Sequence, residues 1–190
     1  MAQAEGQGAA SSVLVTGGAR SGKSRYAEQL ILGSGLEPVY VATSAAWDGE
    51  MEGRIGLHRA RRGVEWRTIE DKGGVGLDLT DVLRREALPG RAVLVDCLTL
   101  WLTNLMMAGA DLAAATQALC ALVPNLPAPV VFVSNEVGLG IVPDNAMARQ
   151  FRDAQGRLNQ ELAAVCTRVV FVAAGLPLVL KPSSQPDISL

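Results

Sequence analysis

The chain has 190 residues, of which 49% are hydrophobic and 19% charged, with a formal net charge of −2. This length supports one domain with a full core and leaves little room for a second. The composition excludes a disordered chain, and the small net charge gives no reason to expect nucleic acid or an anionic membrane surface as the main partner.

Residues 1–12 are small and polar, without a basic region or an apolar core, so a disordered N-terminal extension is expected there rather than a secretory signal. One domain is expected over residues 13–181, followed by a loose tail at 182–190. The pattern predicts a strand at 13–16, a glycine-rich turn, and a helix at 24–32 that Gly33 closes. A strand follows at 39–43, then a helix at 50–62 with Met51 and Ile55 on one side. A strand is expected at 65–69, where Val64, Trp66 and Thr68 alternate with charged residues, and a weaker helix at 78–86. Residues 92–95 read as a short apolar strand ending at Asp96. Helices are expected at 97–107 and 111–123, the second capped by Asp111. After a buried strand at 130–134, Asp144 is expected to cap the strongest helical pattern, in which Met147, Phe151, Ala154, Leu158, Leu162 and Val165 recur at steps of three and four. Strands at 169–173 and 178–181 complete the reading.

Strand and helix alternate, and the strands are apolar on both faces. This predicts an α/β fold of three layers, a mainly parallel sheet covered by helices. Cys97, Cys120 and Cys166 stand far apart in apolar stretches and are expected as small core residues, not as a metal or disulfide framework. The most apolar stretch, 98–110, carries Asn104 and is too short to span a bilayer, so no stable membrane insertion and a cytoplasmic location are expected.

The strongest chemical signal is Gly17-Gly18-Ala19-Arg20-Ser21-Gly22-Lys23-Ser24, which fits the phosphate-loop pattern GxxxxGK[ST]. Glycines let the backbone curl so that successive N–H groups face phosphate oxygens, and the next helix aims its N-terminal dipole at the same anion. Lys23 can reach the β- and γ-phosphates, and the Ser24 hydroxyl can ligate Mg²⁺. A second oxygen ligand for Mg²⁺ or its water usually ends a nearby buried strand, which points to Asp96. Asp96 can equally cap the helix that follows it.

His58 is the only histidine. At helical spacing Glu50, Arg54, His58 and Arg62 share a face, with Arg59 and Arg61 nearby. Such a histidine can be an ordinary solvated surface residue. It can also be a nucleophile, because guanidinium groups disfavour imidazolium and would neutralise charge as a phosphorus centre is attacked.

Beyond the generic loop, the run from Val15 to Arg25 resembles the bifunctional adenosylcobinamide kinase / adenosylcobinamide-phosphate guanylyltransferase family of cobalamin biosynthesis. Further landmarks in the same order are Tyr40-Val41-Ala42-Thr43-Ser44, Glu50-Met51, Arg54-Ile55, His58-Arg59 and Trp66-Arg67-Thr68-Ile69-Glu70. Then come Val95-Asp96-Cys97-Leu98-Thr99, Thr103-Asn104, the run from Ser134 to Pro143, and Phe151-Arg152-Asp153 with Gly156 and Asn159. The resemblance implies a RecA-like P-loop fold, a homotrimer, and two reactions. Adenosylcobinamide is phosphorylated with ATP or GTP. GMP then passes from GTP to adenosylcobinamide phosphate through a GMP-histidine intermediate, giving adenosyl-GDP-cobinamide and pyrophosphate.

Carried over by position, the nucleophile would be His58. Nucleotide contacts would fall on Gly17, Gly18, Ala19, Arg20, Ser21, Gly22, Lys23, Ser24 and Arg25. Others would fall on Thr43, Ser44, Ala45, Arg59, Ala60, Arg61, Arg62, Glu70 and Asp96. Some members carry two adjacent histidines, whereas Leu57 precedes His58 here. One loop serving both reactions would require movement of the nucleotide or of the His58 segment, which Gly49, Gly53, Gly56 and Gly63 make pliable. Two alternatives stay open. One is a small-molecule P-loop kinase without nucleotidyl transfer. The other is a GTP-dependent switch, suggested by the DxxG match Asp71-Lys72-Gly73-Gly74 and opposed by the absence of an NKxD pattern. Asn135 and Glu136 either join the site or hold the loop after their strand.

Overall fold

The computed structural model describes residues 10–43, 63–70 and 78–183. Strands β1 (Ser12–Gly17), β2 (Glu37–Ala42), β3 (Arg67–Glu70), β4 (Arg91–Asp96), β5 (Val130–Asn135), β6 (Arg168–Ala173) and β7 (Leu176–Lys181) form one seven-stranded sheet. Their order across it is β3-β2-β4-β5-β1-β6-β7. All pairings are parallel except that of β6 with β7. The helices are α1 (Lys23–Leu32), α2 (Leu79–Glu86), α3 (Leu98–Met107), α4 (Leu112–Leu122) and α5 (Ala146–Val165).

Strand alternation sorts the apolar side chains into two cores. Val13, Val15, Val131, Val133, Val170 and Val172 face one side, where α1 contributes Ala27 and Ile31. Leu14, Val93, Val95, Phe132 and Val169 face the other, where Leu79, Leu98, Leu119, Leu158 and Leu162 come from the remaining helices. The expected three-layer α/β architecture with a mainly parallel sheet is therefore the observed one. Glu86 at the end of α2 is buried and accepts from Arg67 Nε of β3 and Arg91 Nη1 of β4, both at 3.0 Å, which ties that helix to two strands.

Several local details differ from expectation. Asn145, not Asp144, caps α5: its backbone is extended and its side chain accepts from Ala148 N at 2.8 Å. Met147 is exposed, and the first fully buried residue of α5 is Gln155, because the opening turns of the helix stand clear of the core. Val64 and Thr68 are exposed while Trp66 is buried, so the expected alternation fails. Val64 sits in a turn closed by Trp66 N donating to Gly63 O, ahead of the strand. The last strand begins earlier than expected, at Leu176. Asp111 caps α4 as expected, accepting from Ala113 N and Ala114 N at 3.0 Å each. Cys97 and Cys166 are buried and Cys120 is half-buried against the core. The helix expected at 50–62, most of the N-terminal extension and most of the tail lie outside the described residues. Among the described residues no helix is long and apolar enough to cross a membrane.

Candidate functional site

The carboxyl ends of the parallel strands bring the motif residues together. β1 delivers the chain to Gly17, and α1 begins at Lys23. Gly22 is the residue before that helix, with φ 97°, a left-handed conformation that favours glycine. Space is also restricted at both ends of the loop. A Cβ on Gly17 would collide with the Val172 carbonyl oxygen, and one on Gly22 would lie 3.2 Å from Gly175 Cα. Gly175 N donates to Ser21 O at 2.8 Å, so the turn between β6 and β7 braces the phosphate loop. Sequence reasoning missed this brace, because no local pattern ties residue 175 to residue 21.

Lys23 is buried to 8% exposure, and its Nζ donates to Gly18 O at 3.0 Å, across the mouth of the loop. Burial pushes its pKa down, and the neighbouring Cys97 and Asp96 push it up by less. Ser24 is half-buried on the first turn of α1, and Ala19, Arg20 and Arg25 are exposed.

Asp96 ends β4 and pairs in register with Ala42 of β2 and Val133 of β5. Its Oδ2 accepts from the Tyr40 hydroxyl at 3.0 Å. The residue capping α3 is Cys97, without a side-chain cap bond, so the recorded bond of the Asp96 carboxylate is to Tyr40 and not to the helix start. Burial, with Asp96 adding to it, pushes the Cys97 thiol up to about 11, so it stays protonated at neutral pH.

Thr43 is fully buried. Its Oγ1 donates to Cys97 O at 2.6 Å and accepts from Cys97 N at 2.8 Å, and its carbonyl accepts from Asn104 Nδ2 at 2.9 Å. This side chain braces β2 against the start of α3. Glu70 ends β3, level with Ala42 and Asp96. Counting strands from β3 to β1 places it about 19 Å from β1 at ~4.8 Å per strand. Ser44, Ala45, His58, Arg59, Ala60, Arg61 and Arg62 lie outside the described residues.

A polar cluster that the sequence did not announce holds the end of β5. Thr99 Oγ1 accepts from Asn135 N at 2.9 Å, and Asn159 Nδ2 donates to Asn135 O at 3.2 Å. Ser134 Oγ donates to Asn159 Oδ1 at 2.6 Å, and Gln155 Nε2 donates to Ser134 Oγ at 2.9 Å. Glu136 N then donates to Gly17 O at 3.0 Å, joining this cluster to the phosphate loop, while Glu136 Oε1 accepts from Gly138 N at 2.6 Å. Of the two roles considered for Asn135 and Glu136, the bond from Gly138 N to Glu136 Oε1 is the one that holds the loop after their strand. The available signal was Gln155 and Asn159, one turn apart on the buried side of an otherwise apolar helix face.

The donors at hand suit Mg²⁺. Among the described residues no group of three or more His, Cys, Asp or Glu could hold a metal on its own. A serine hydroxyl and one carboxylate beside a triphosphate are the hard oxygen ligands that Mg²⁺ takes when it keeps several waters.

The family model for cobinamide kinase / cobinamide phosphate guanyltransferase matches residues 13–180. The chain belongs to that family. A "Bifunctional adenosylcobalamin biosynthesis protein CobP" of Pseudomonas aeruginosa is 50% identical over 170 residues, covering 88% of this chain and 96% of that one. A "Bifunctional adenosylcobalamin biosynthesis protein CobU" of Escherichia coli is 42% identical over 184 residues, covering 89% and 99%. Among solved structures, a Pyrococcus horikoshii OT3 protein superposes with a TM-score of 0.55 at 10% identity, covering 90% of this chain and 86% of that one, a likeness of fold alone. Membership of the cobinamide kinase / cobinamide phosphate guanyltransferase family makes the chain an enzyme of the kinase and guanylyltransferase class that its motifs predict.

Proposed function

We propose that this chain phosphorylates adenosylcobinamide with ATP or GTP, then transfers GMP from GTP to adenosylcobinamide phosphate through a GMP-histidine intermediate on His58. The observation that carries the reading is the buried Lys23 lying across the loop beside Asp96, in a chain of this family. Amides of residues 17–24 and Nζ of Lys23 bind the triphosphate and hold its pyrophosphate portion. When bound, Mg²⁺ at Ser24 and Asp96 neutralises charge on that leaving group. A neutral ring nitrogen of His58 attacks the α-phosphorus. A P–N bond forms and the P–O bond to pyrophosphate breaks. An oxygen of adenosylcobinamide phosphate then attacks the same phosphorus, breaking P–N and returning the electron pair to His58. Two easier displacements replace one hard one. Arg59, Arg61, Arg62, Ser44, Ala45 and Glu70 complete the nucleotide contacts in this proposal, and the protein acts as a cytoplasmic homotrimer.

Intact mass after incubation with GTP and magnesium tests it. The expected result is a gain of one GMP unit that is absent in His58→Ala and is discharged by adenosylcobinamide phosphate. ATP-dependent phosphorylation of adenosylcobinamide without any GMP adduct would reduce the function to a kinase.

A further inference from the structure

The segment between β5 and α5 turns apolar side chains outward beside the phosphate loop. Leu139 is 83% exposed, Ile141 98%, Val142 61%, and Met147 on the first turn of α5 60%. The segment is tied down at both ends. Glu136 N donates to Gly17 O at 3.0 Å, and Arg149 Nη1 donates to Pro143 O at 2.9 Å and Asp144 O at 2.8 Å. Helix α5 meets the end of β5 through Gln155 and Asn159, so at ~1.5 Å per residue its start at Ala146 overhangs the carboxyl edge by about 13 Å. The result is an uncharged apolar arm, with no acidic or basic residue from Val137 to Pro143, standing above the edge that holds the phosphates.

We propose that this arm seats the corrin ring of the acceptor. The proposal rests on the reading that cobinamide and its phosphate are the substrates. The sheet faces are covered by α1 on one side and by α2 to α5 on the other, so an acceptor reaches the phosphates from the carboxyl edge. A corrin ring is a large, methyl-rich macrocycle with a rim of neutral amides. Its faces match an uncharged apolar surface, and its flexible aminopropanol arm can then extend to the loop. A nucleotide or nucleic acid would find no charge partner on these residues. The arm is also continuous with the site: one end is hydrogen-bonded to the first glycine of the phosphate loop.

The test compares wild type with Leu139→Ser/Ile141→Ser and with the conservative Leu139→Met/Ile141→Leu, full chain in each case. Dissociation constants for adenosylcobinamide come from its visible absorbance in equilibrium dialysis, GTP affinity from calorimetry, and assembly mass from sedimentation. The serine pair weakens adenosylcobinamide binding by about tenfold or more, the order expected when buried anchors leave a contact, and the conservative pair restores it. GTP affinity and sedimentation mass hold in both. Unchanged adenosylcobinamide affinity in the serine pair overturns the proposal. So does a fall in assembly mass, which would show that a second copy covers the arm. A wild-type chain that forms the GMP adduct but lacks affinity for adenosylcobinamide overturns it as well. A wild-type chain that binds adenosylcobinamide, loses that binding in the serine pair and forms no adduct instead sinks the His58 reading and leaves the arm standing.

Discussion

Lys23 is subject to opposing influences. Burial strips water from its ammonium and lowers the pKa, while Cys97 and Asp96 raise it by less. A triphosphate in the loop adds negative charge close to Nζ and raises it again. A group whose pKa is low in the free protein and higher in the complex takes up a proton on binding. GTP affinity is therefore complete where free Lys23 is already protonated. It falls as pH rises through that lowered value, at a pH below the ordinary lysine range. Calorimetry from neutral to alkaline pH should show this slope, and Lys23→Arg, which does not deprotonate, should lose it. A slope of equal size in Lys23→Arg would assign the proton to another group. The sequence showed this residue clearly, because four fixed positions within an eight-residue window specify the loop. It did not show how Lys23 sits, since the carbonyl it meets and the burial it suffers depend on β1, β4 and the β6–β7 turn. Asp96 was visible as the polar end of an apolar run and as a position in the family pattern. Its bond to Tyr40 depends on β2 lying beside β4.

At the scale of elements, the parallel strands were readable because each is buried on both faces and is therefore written as a near-continuous run of Val and Leu. The start of α5 was less readable. Asp144 and Asn145 are both good caps, and only the backbone decides that Asn145 takes the position. The polar cluster beneath β5 was only half legible: Gln155 and Asn159 interrupt an apolar helix face, but their partners Ser134 and Asn135 are set by how the helix lies on the sheet. Asn159→Ala removes the donor to Asn135 O and the acceptor of Ser134 Oγ. Losing these partly buried hydrogen bonds should cost about 1–3 kcal/mol in urea unfolding. Since Asn135 leads into the bond from Glu136 N to Gly17 O, the same change should also raise the dissociation constant for GTP. A variant less stable by that amount but with unaltered GTP affinity would show that the cluster supports the fold without supporting the loop.

Across the whole molecule, the candidate site joins residues far apart in the chain. β5 is inserted between β1 and β4, which sets Asp96 across from Lys23 and puts Asn135 next to Gly17. The alternation of elements predicted a parallel sheet, but strand order is a property of crossovers and leaves no trace in hydrophobic period. Because the site spans the ends of several strands, nucleotide binding is linked to global stability. A ligand that binds only the folded chain at about 100 times its dissociation constant adds ~2.7 kcal/mol. For a domain of this size that corresponds to a rise in Tm of roughly 5–11 °C, at about 2–4 °C per kcal/mol. Thermal unfolding of the wild type with GTP and magnesium should show this rise. Lys23→Ala should lose half of it or more at the same GTP concentration, because removing a charge-assisted contact worth about 1.5–3 kcal/mol lowers affinity by roughly one to two orders of magnitude. His58→Ala, with the triphosphate still gripped by the loop, should keep most of the shift while losing the adduct. A thermal shift that survives in Lys23→Ala but disappears in His58→Ala would place the main grip on the nucleotide outside the phosphate loop.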